Sequence, residues 1–359
     1  MRSNKELPLV ASLVFLLCMP VLVSCRDSTS TEPGRVQLWG SGSWYLLGVN
    51  YPWLHYGHDF GETAWGHDGA SATATKDQID SDFAYLKSHG VHVVRWFLFA
   101  DCRAAPEFDA NGLATGYDEH FYADVDAALT IAEKHGVCLI LTLLDFHLCD
   151  KAKVEGGVQL GGRASVITDS SKRQAFLDNA LMPLLRRYGE RKCIIAWDVM
   201  NEPEGAMDIA GGRWVEEPVP PDAMRAFVDE VVRHIHTYSS QLATVGAASR
   251  GMLSNWTGSN LDFYQFHYYD HMAGQYPLDC PYASLGLDKP CIVGEFPTKN
   301  TERTITDYLD TIFENGYAGA LAWSLRASDD SSDFKAVSAE FAAWAAAHEQ
   351  HVRIEFKAK

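Results

Sequence analysis

Short apolar segments alternate with longer amphipathic segments along almost the whole chain, and this alternation constrains the fold more than any other feature. The apolar segments with the length of strands are residues 46–50, 91–97, 137–145, 193–200, 242–247, 262–267, 290–295 and 318–325. The amphipathic segments that predict helices are residues 77–88, 121–135, 172–188, 221–238, 301–315 and 332–348. Several apolar segments are almost continuously hydrophobic, as is typical of parallel strands covered by helices.

Eight strands alternating with helices predict the α/β class and, within it, a single (β/α)8 or TIM barrel over residues 36–359. A doubly wound sheet is the alternative, but it usually has fewer strands and a Gly-rich phosphate loop. No GxGxxG motif follows any of the eight segments. The pattern is weakest between the fourth and sixth strands, where a helix is poorly marked. A barrel would place catalytic side chains at the carboxyl ends of its strands.

The N-terminal residues predict export. A basic N-terminus precedes an apolar run at residues 9–23, which is short for a membrane span and typical of a secretory signal. The run ends before Cys25 in a sequence that resembles the lipobox of bacterial lipoproteins. We therefore expect a signal peptide at residues 1–24, a lipid on Cys25, a tether at 25–35 and a location in the bacterial cell envelope. An ordinary signal peptide followed by a chance cysteine is the alternative.

The charge balance excludes one large class of partner. The chain has 30 basic and 47 acidic residues, for a formal net charge of −17. A surface this acidic repels phosphate backbones and anionic lipid. We therefore expect no nucleic acid as partner and contact with a membrane only through the lipid on Cys25. The charge places no restriction on a neutral substrate.

Glutamate residues stand at the ends of two of the apolar segments. Glu202 follows the fourth segment and Glu295 ends the seventh. Two carboxylates beside a glycosidic bond are what its hydrolysis requires, because one protonates the leaving oxygen while the other attacks the sugar or activates water. Two unrelated surface glutamates would give the same pattern, so the pair alone leaves both interpretations open.

Other strand ends carry polar and aromatic side chains that fit the same site. They are Arg95 in the second strand, Asp145-Phe146-His147 at the end of the third, His267-Tyr268-Tyr269 at the end of the sixth, and Trp323 in the eighth. Together with Asn201-Glu202-Pro203 after the fourth strand, this set resembles glycoside hydrolase family 5, the cellulase and mannanase family of retaining (β/α)8 enzymes. The resemblance extends from Gly48-Val49-Asn50-Tyr51 to the last helix.

The resemblance implies roles for eight of these residues. Glu202 would be the acid/base and Glu295 the nucleophile, with their carboxyl groups about 5–5.5 Å apart. Arg95 and Tyr269 would orient Glu295 and keep it ionised. The residues that the resemblance assigns to the sugar are Asn201 at the 2-hydroxyl, His147 and His267 in the wall of the first subsite, and Trp323 as its stacking floor.

Aromatic residues in the predicted loops are candidates for further sugar contacts, because flat rings suit the apolar faces of pyranose sugars. The candidates are Trp53, Trp65 and Trp256, each of which could instead be a packing residue. Two acidic residues near Glu202 are less informative. We assign no catalytic role to Asp198, and the resemblance favours Glu202 over Glu204 as the acid/base.

Cysteine and histidine spacing does not indicate a metal centre. The cysteines lack CxxC spacing, and His55 and His58 beside Asp59 permit a metal site without requiring one. We therefore expect no metal and no cofactor. Cys102 and Cys149 each follow a strand-like segment, so an oxidising compartment could pair them.

These observations predict an exported, lipid-anchored, retaining glycoside hydrolase that cleaves a β-linked polysaccharide or oligosaccharide. The resemblance implies β-1,4-mannan or β-1,4-glucan as the substrate. A non-catalytic glycan-binding lipoprotein on the same barrel is the alternative, and a metal-dependent hydrolase is a third interpretation. The sequence does not determine the glycan, endo or exo action, or the oligomeric state.

Overall fold

The protein forms a closed barrel of eight parallel strands in a computed structural model that describes residues 34–40 and 42–356. The strands are β1 (Leu46–Asn50), β2 (Val93–Ala100), β3 (Cys138–Asp145), β4 (Ile194–Asn201), β5 (Leu242–Ala247), β6 (Tyr264–His267), β7 (Cys291–Pro297) and β8 (Gly319–Trp323). Each strand pairs with the next and β8 pairs with β1, so the sheet has no edge. The predicted (β/α)8 barrel is confirmed.

Helices cover most of the outer face of the barrel. They are α1 (Thr73–Ser88), α2 (Phe121–His135), α3 (Ser165–Thr168), α4 (Ser170–Phe176), α5 (Met182–Tyr188), α6 (Pro221–Tyr238), α7 (Ile305–Glu314), α8 (Phe334–Ala347) and α9 (Glu349–Val352). A π-helical turn at Leu177–Leu181 joins α4 to α5, so the helix predicted at residues 172–188 is continuous but irregular.

The poorly marked part of the sequence corresponds to a real departure from the regular pattern. Between β5 and β7, a stretch that the structure describes completely, the chain forms short 3₁₀ turns in place of α-helices. The turns lie at Arg250–Asn255, Asp270–Met272 and Tyr282–Leu285. Loops therefore replace the helices that would follow β5 and β6.

The interior of the barrel is packed, and an N-terminal hairpin closes its amino end. Every residue of β1 to β4 is buried, as expected for strands with helices outside and packed side chains inside. In the hairpin formed by Val36–Leu38 and Gly42–Trp44, Val36 and Leu38 belong to one apolar cluster with Leu46 and Val93 at the starts of β1 and β2. The opposite end of the barrel, at the carboxyl ends of the strands, is therefore where a functional site can lie.

The predicted signal peptide, Cys25 and most of the tether lie outside the described residues. Gly34 and Arg35, at the end of the predicted tether, contact the barrel domain. The N–H of Gly34 donates to the carbonyl of Gly316 at 3.0 Å, and Nη1 of Arg35 donates to the carbonyl of His351 at 3.2 Å. Among the described residues, no helix is long and apolar enough to span a bilayer.

The cysteines of the described region are free and buried. They are Cys102, Cys138, Cys149, Cys193, Cys280 and Cys291. The disulfide between Cys102 and Cys149 that the sequence allowed is not formed, because both side chains pack as thiols in the apolar core. Burial raises the pKa of the Cys149 thiol to about 12. These side chains therefore behave as small apolar groups at neutral pH.

Candidate active site

Glu202 and Glu295 line one cleft at the carboxyl end of the barrel. Glu202 directly follows β4 and has a left-handed backbone with φ of 45°. Its N–H donates to the carbonyl of Gly246 in β5 at 2.7 Å, which fixes this unusual turn. Glu295 lies within β7. Because only β5 and β6 separate β4 from β7 around the barrel, the two side chains meet above the end of β6.

His267, the last residue of β6, lies between the two carboxylates. Its Nδ1 is 2.7 Å from Oε1 of Glu202 and 3.4 Å from Oε2 of Glu295. One oxygen of each carboxylate and an imidazole nitrogen all lie within 4.8 Å of one another. This proximity favours the separation of about 5–5.5 Å found in retaining glycosidases over the roughly 6.5–9.5 Å of inverting enzymes, which leave room for a water molecule.

Arg95 on β2 is completely buried and supplies the positive charge of the site. Its Nη1 donates to Oε1 of Glu295 at 2.8 Å, its Nε donates to Asp198 at 2.8 Å, and its Nη2 donates to the side-chain oxygen of Asn201 at 2.9 Å. A planar guanidinium with five N–H groups can make all these bonds at once. Asp198, to which the sequence analysis assigned no catalytic role, is therefore the buried counter-charge that holds Arg95 in place.

The two carboxylates have different surroundings. Besides Arg95, Glu295 is bonded by Tyr269, whose hydroxyl donates to Oε2 at 2.6 Å. Burial raises the pKa of Glu295, and both donors act against that rise. Burial and the nearby carboxylate of Asp145 raise the pKa of Glu202 to about 8. The hydrogen bonds from Arg95 and Tyr269 to Glu295 favour its ionised form, whereas burial favours the protonated form of Glu202, and an ionised nucleophile and a protonated acid are what the reaction requires.

We expect kcat/KM to fall above pH 8, because Glu202 then loses the proton that it must give to the leaving oxygen. Wild type should therefore show this basic limb on a glycan and lose it on an aryl glycoside whose leaving group needs no protonation. On that aryl glycoside the variant Glu202→Gln should lack the limb as well. A pH–rate profile of both proteins measures the effect. A basic limb that persists unchanged in the variant would assign the titration to another group.

Gly246 in β5 lies directly against the charged network. A Cβ at this position would lie 2.8 Å from Nη2 of Arg95 and 3.2 Å from Nε2 of His267. We expect Gly246→Ala to fold and to lower kcat by about 10²-fold, because displacements of about 1 Å have effects of this size. Gly274→Ala is the control, since a Cβ there meets nothing within 4 Å. Thermal denaturation and kcat measure both variants, and an unchanged kcat in Gly246→Ala would contradict the expectation.

Aromatic side chains form one wall of the cleft beside the carboxylates. Trp323 at the end of β8 and Trp53 in the loop after β1 meet edge to face, with ring centroids 6.0 Å apart. Tyr56 and Phe97 extend the same wall, their centroids 4.8 Å and 5.6 Å from that of Trp53. His147 also lines the cleft, and its side chain is 46% exposed. These positions suit contact with the faces of pyranose rings.

Asp145 and Asp329 also line the cleft, and neither had a role assigned from the sequence. The hydroxyl of Tyr56 donates to Asp145 at 3.3 Å, and Asp329 accepts a hydrogen bond of 2.8 Å from the indole of Trp323. The position of Asp145 at the end of the third apolar segment was a usable signal. Asp329 lies in a loop, where no sequence pattern marks it.

Three of the predicted sugar contacts lie elsewhere in the structure. Trp256 is only 1% exposed and its indole donates to Glu204, so it is a packing residue and offers no face to a sugar. Trp65 is 45% exposed, but its indole donates to the carbonyl of Glu155 at 3.1 Å, outside the residues that line the cleft. His267 lies beneath the carboxylates and not in a subsite wall. Burial lowers the pKa of His267 to about 4, so its ring is neutral at pH 7.

The comparisons with known proteins agree with this geometry. Residues 56–329 match the family model described as cellulase (glycosyl hydrolase family 5). The chain is 26% identical to a mannan endo-1,4-beta-mannosidase of Mytilus edulis over 324 residues, which cover 78% of this chain and 83% of the relative. It is 27% identical to the mannan endo-1,4-beta-mannosidase of Cryptopygus antarcticus over 337 residues, 82% of this chain and 84% of the relative.

Solved structures share the fold. The endo-1,4-beta-mannanase from Eisenia fetida superposes with a TM-score of 0.74 at 24% identity, covering 87% of this chain and 94% of that chain. The beta-mannanase from Mytilus edulis superposes with a TM-score of 0.76 at 22% identity, covering 91% and 98%. Because the family model matches more than half of its residues, the chain belongs to glycosyl hydrolase family 5 and is an O-glycosyl hydrolase.

Proposed function

We propose that the protein is a retaining endo-β-1,4-mannanase that works by double displacement. The observation that carries the proposal is the pair of Glu202 and Glu295, whose nearest oxygens lie within 4.8 Å in a cleft with an aromatic wall. Because burial keeps the proton on Glu202, and Arg95 stabilises the charge on Glu295, the pair is prepared for acid catalysis and nucleophilic attack in one step.

The reaction follows from this division of roles. In the first step Glu202 gives its proton to the glycosidic oxygen, Glu295 bonds to the anomeric carbon, and the bond to the leaving sugar breaks. In the second step Glu202, now ionised, takes a proton from water, and the water oxygen displaces Glu295 from the same carbon. Two inversions give net retention. Arg95 and Tyr269 stabilise the charge that returns to Glu295.

The substrate part of the proposal rests on the relatives, which are named as mannan endo-1,4-beta-mannosidases. The wall formed by Trp53 and Trp323 is compatible with an uncharged chain of pyranose rings. β-1,4-Glucan is the second candidate, because the matching family model is described as cellulase.

Hydrolysis of β-mannan, β-glucan, xylan and aryl β-glycosides tests the proposal, with wild type run beside Glu202→Ala and Glu295→Ala. We expect preferential cleavage of β-mannan, with viscosity falling before most reducing ends appear, as internal cleavage requires. Loss of hydrolysis in both variants would tie the activity to the pair. Binding of a glycan without hydrolysis by wild type would support the non-catalytic alternative, and preference for β-glucan would replace the proposed substrate.

We also propose that the protein is exported and held in the bacterial cell envelope by a lipid on Cys25, after removal of residues 1–24. The basic N-terminus, the apolar run at residues 9–23 and the lipobox-like sequence support this. In a bacterial host, wild type should enter the membrane fraction and Cys25→Ser should not. Mass spectrometry of the N-terminal peptide measures the lipid. Membrane association that survives Cys25→Ser would contradict the proposal.

A further inference from the structure

The loop after β1 brings together three side chains that can bind a metal, away from the catalytic pair. His55 and His58 lie in this loop, and folding places Asp68 beside them. One ligand atom from each residue lies within 4.8 Å of the other two. Nδ1 of His58 is 2.9 Å from Oδ1 of Asp68, and Nδ1 of His55 is 3.9 Å from Oδ2 of Asp68. The sequence showed the two histidines but gave no indication that Asp68 joins them.

One buried nitrogen atom of this cluster has no hydrogen-bond partner among the described residues. Nδ1 of His55 is inaccessible to solvent and has no hydrogen-bond partner in the part of the chain that the structure describes. Its nearest carboxylate oxygens, on Asp59 at 3.6 Å and Asp68 at 3.9 Å, are beyond hydrogen-bond distance. Buried polar atoms of this kind are rare in native proteins, and an imidazole nitrogen in such a position is free to act as a metal ligand. The atom lies toward the other two ligands.

The surroundings hold the cluster in place before any ligand binds. Asp59 is 2% exposed and accepts hydrogen bonds from the N–H of His55 at 2.7 Å and from the indole of Trp96 at 2.8 Å. It thereby fixes the backbone that carries His55. The rings of His55 and His58 are nearly parallel, with an interplanar angle of 22° and centroids 5.3 Å apart. Little reorganisation would be needed for both rings to face one ion.

We propose that His55, His58 and Asp68 form a binding site for one Zn²⁺ or a similar borderline transition-metal cation. Two imidazoles and a carboxylate are ligands that Zn²⁺ prefers, at distances of about 2.0–2.2 Å, with water completing four-coordination. Ca²⁺ and Mg²⁺ prefer oxygen ligands throughout and fit this set poorly. The distance of 3.9 Å from Nδ1 of His55 to Oδ2 of Asp68 is longer than that between two ligands of one Zn²⁺, so small rotations of the side chains accompany binding.

The position of the site suggests what the ion does. Two residues that line the catalytic cleft lie beside His55 in the same loop: Trp53 precedes it by two positions and Tyr56 follows it directly. The ring of Trp65 packs edge to face on His58 with centroids 5.6 Å apart. An ion at the cluster would therefore cross-link the loop after β1 and stabilise the aromatic wall, without touching the reacting atoms.

Titration of the chelator-stripped protein, prepared without a polyhistidine tag, with ZnCl₂ in a calorimeter tests the proposal. We expect one saturable Zn²⁺ per chain, at least tenfold weaker binding in His55→Gln and in Asp68→Asn, and a higher Tm for wild type with Zn²⁺. His120→Gln is the matched control. Its side chain is 33% exposed against 32% for His55, and it also has a carboxylate oxygen, of Glu62, at 3.6 Å.

A second measurement does not depend on any variant folding. Co²⁺ bound to wild type should give the visible absorption bands of a four-coordinate site, and Zn²⁺ should displace it. The absence of saturable Zn²⁺ binding, or equal affinity in wild type, His55→Gln and Asp68→Asn, would overturn the proposal. Displacement of Zn²⁺ by equimolar Ca²⁺ would overturn the assignment of the cation class.

Discussion

Replacing Glu295 with alanine is expected to lower kcat on β-mannan by about 10⁴-fold or more, equivalent to about 5.4 kcal/mol of transition-state stabilisation. The variant loses the atom that bonds to the anomeric carbon, so water would have to attack directly. Arg95 and Tyr269 remain, but the carboxylate that they position is gone. Steady-state rates of wild type and Glu295→Ala measure the effect. A loss of less than tenfold would contradict the nucleophile assignment.

Azide separates the roles of the two carboxylates in a way that rates alone cannot. In Glu295→Ala, azide can occupy the vacated space and attack an activated β-glycoside once, which gives an α-glycosyl azide. In Glu202→Ala the glycosyl-enzyme still forms from a substrate with a good leaving group, and azide then gives a β-glycosyl azide after two inversions. NMR of the products distinguishes the two anomers. A β-glycosyl azide from Glu295→Ala and an α-glycosyl azide from Glu202→Ala would exchange the roles of Glu202 and Glu295.

Replacing Arg95 with methionine is expected to lower the free energy of unfolding by about 3–5 kcal/mol, because Asp198 and Glu295 would be left buried without their counter-charge. The change should also raise the pKa of Glu295, since Arg95 acts to lower it. Glu295 must be ionised to attack, so the acidic limb of kcat/KM should move to higher pH. Chemical denaturation and a pH–rate profile measure the two effects.

Two further variants make the Arg95 prediction specific. Arg95→Lys retains a positive charge but lacks the planar guanidinium group. Compared with Arg95→Met, it should therefore regain part of the stability and return the acidic limb toward that of wild type. Arg326→Met is the matched control, because Arg326 makes two hydrogen bonds to Asp82, at 2.7 Å and 2.6 Å, outside the residues that line the cleft. It should lose stability without shifting the acidic limb. A shift of equal size in Arg326→Met would contradict a local effect on Glu295.

The fold was predictable from local sequence patterns, and the proposed catalytic pair was predictable from such patterns together with the resemblance to glycoside hydrolase family 5. Apolar runs mark strands that are buried on both faces, and strand ends mark the positions at which a barrel carries its catalytic residues. Glu202 directly follows β4 and Glu295 lies near the end of β7, whereas Arg95 is the third residue of β2. The missing helix after β5 could be suspected because the pattern is weak between the fourth and sixth segments, whereas the missing helix after β6 was not singled out.

The remainder of the site depends on contacts that are distant in sequence. Trp256 has the same loop context as Trp53, yet it packs on Glu204 while Trp53 lines the cleft. Whether an aromatic ring faces solvent or core is decided by the path of the loop, for which the sequence has no periodic signal. The same holds for Asp68, which joins His55 and His58 only through the fold of the loop.

The buried thiols have a consequence for following the stability of this protein in solution. Because the six cysteines of the described region are free and buried, an alkylating reagent can reach them only when the surrounding structure opens. They are distributed over the barrel, with Cys138 at the start of β3 and Cys291 at the start of β7. The rate of alkylation at each position, read by peptide mass spectrometry, therefore reports how often that part of the barrel opens, without any engineered probe.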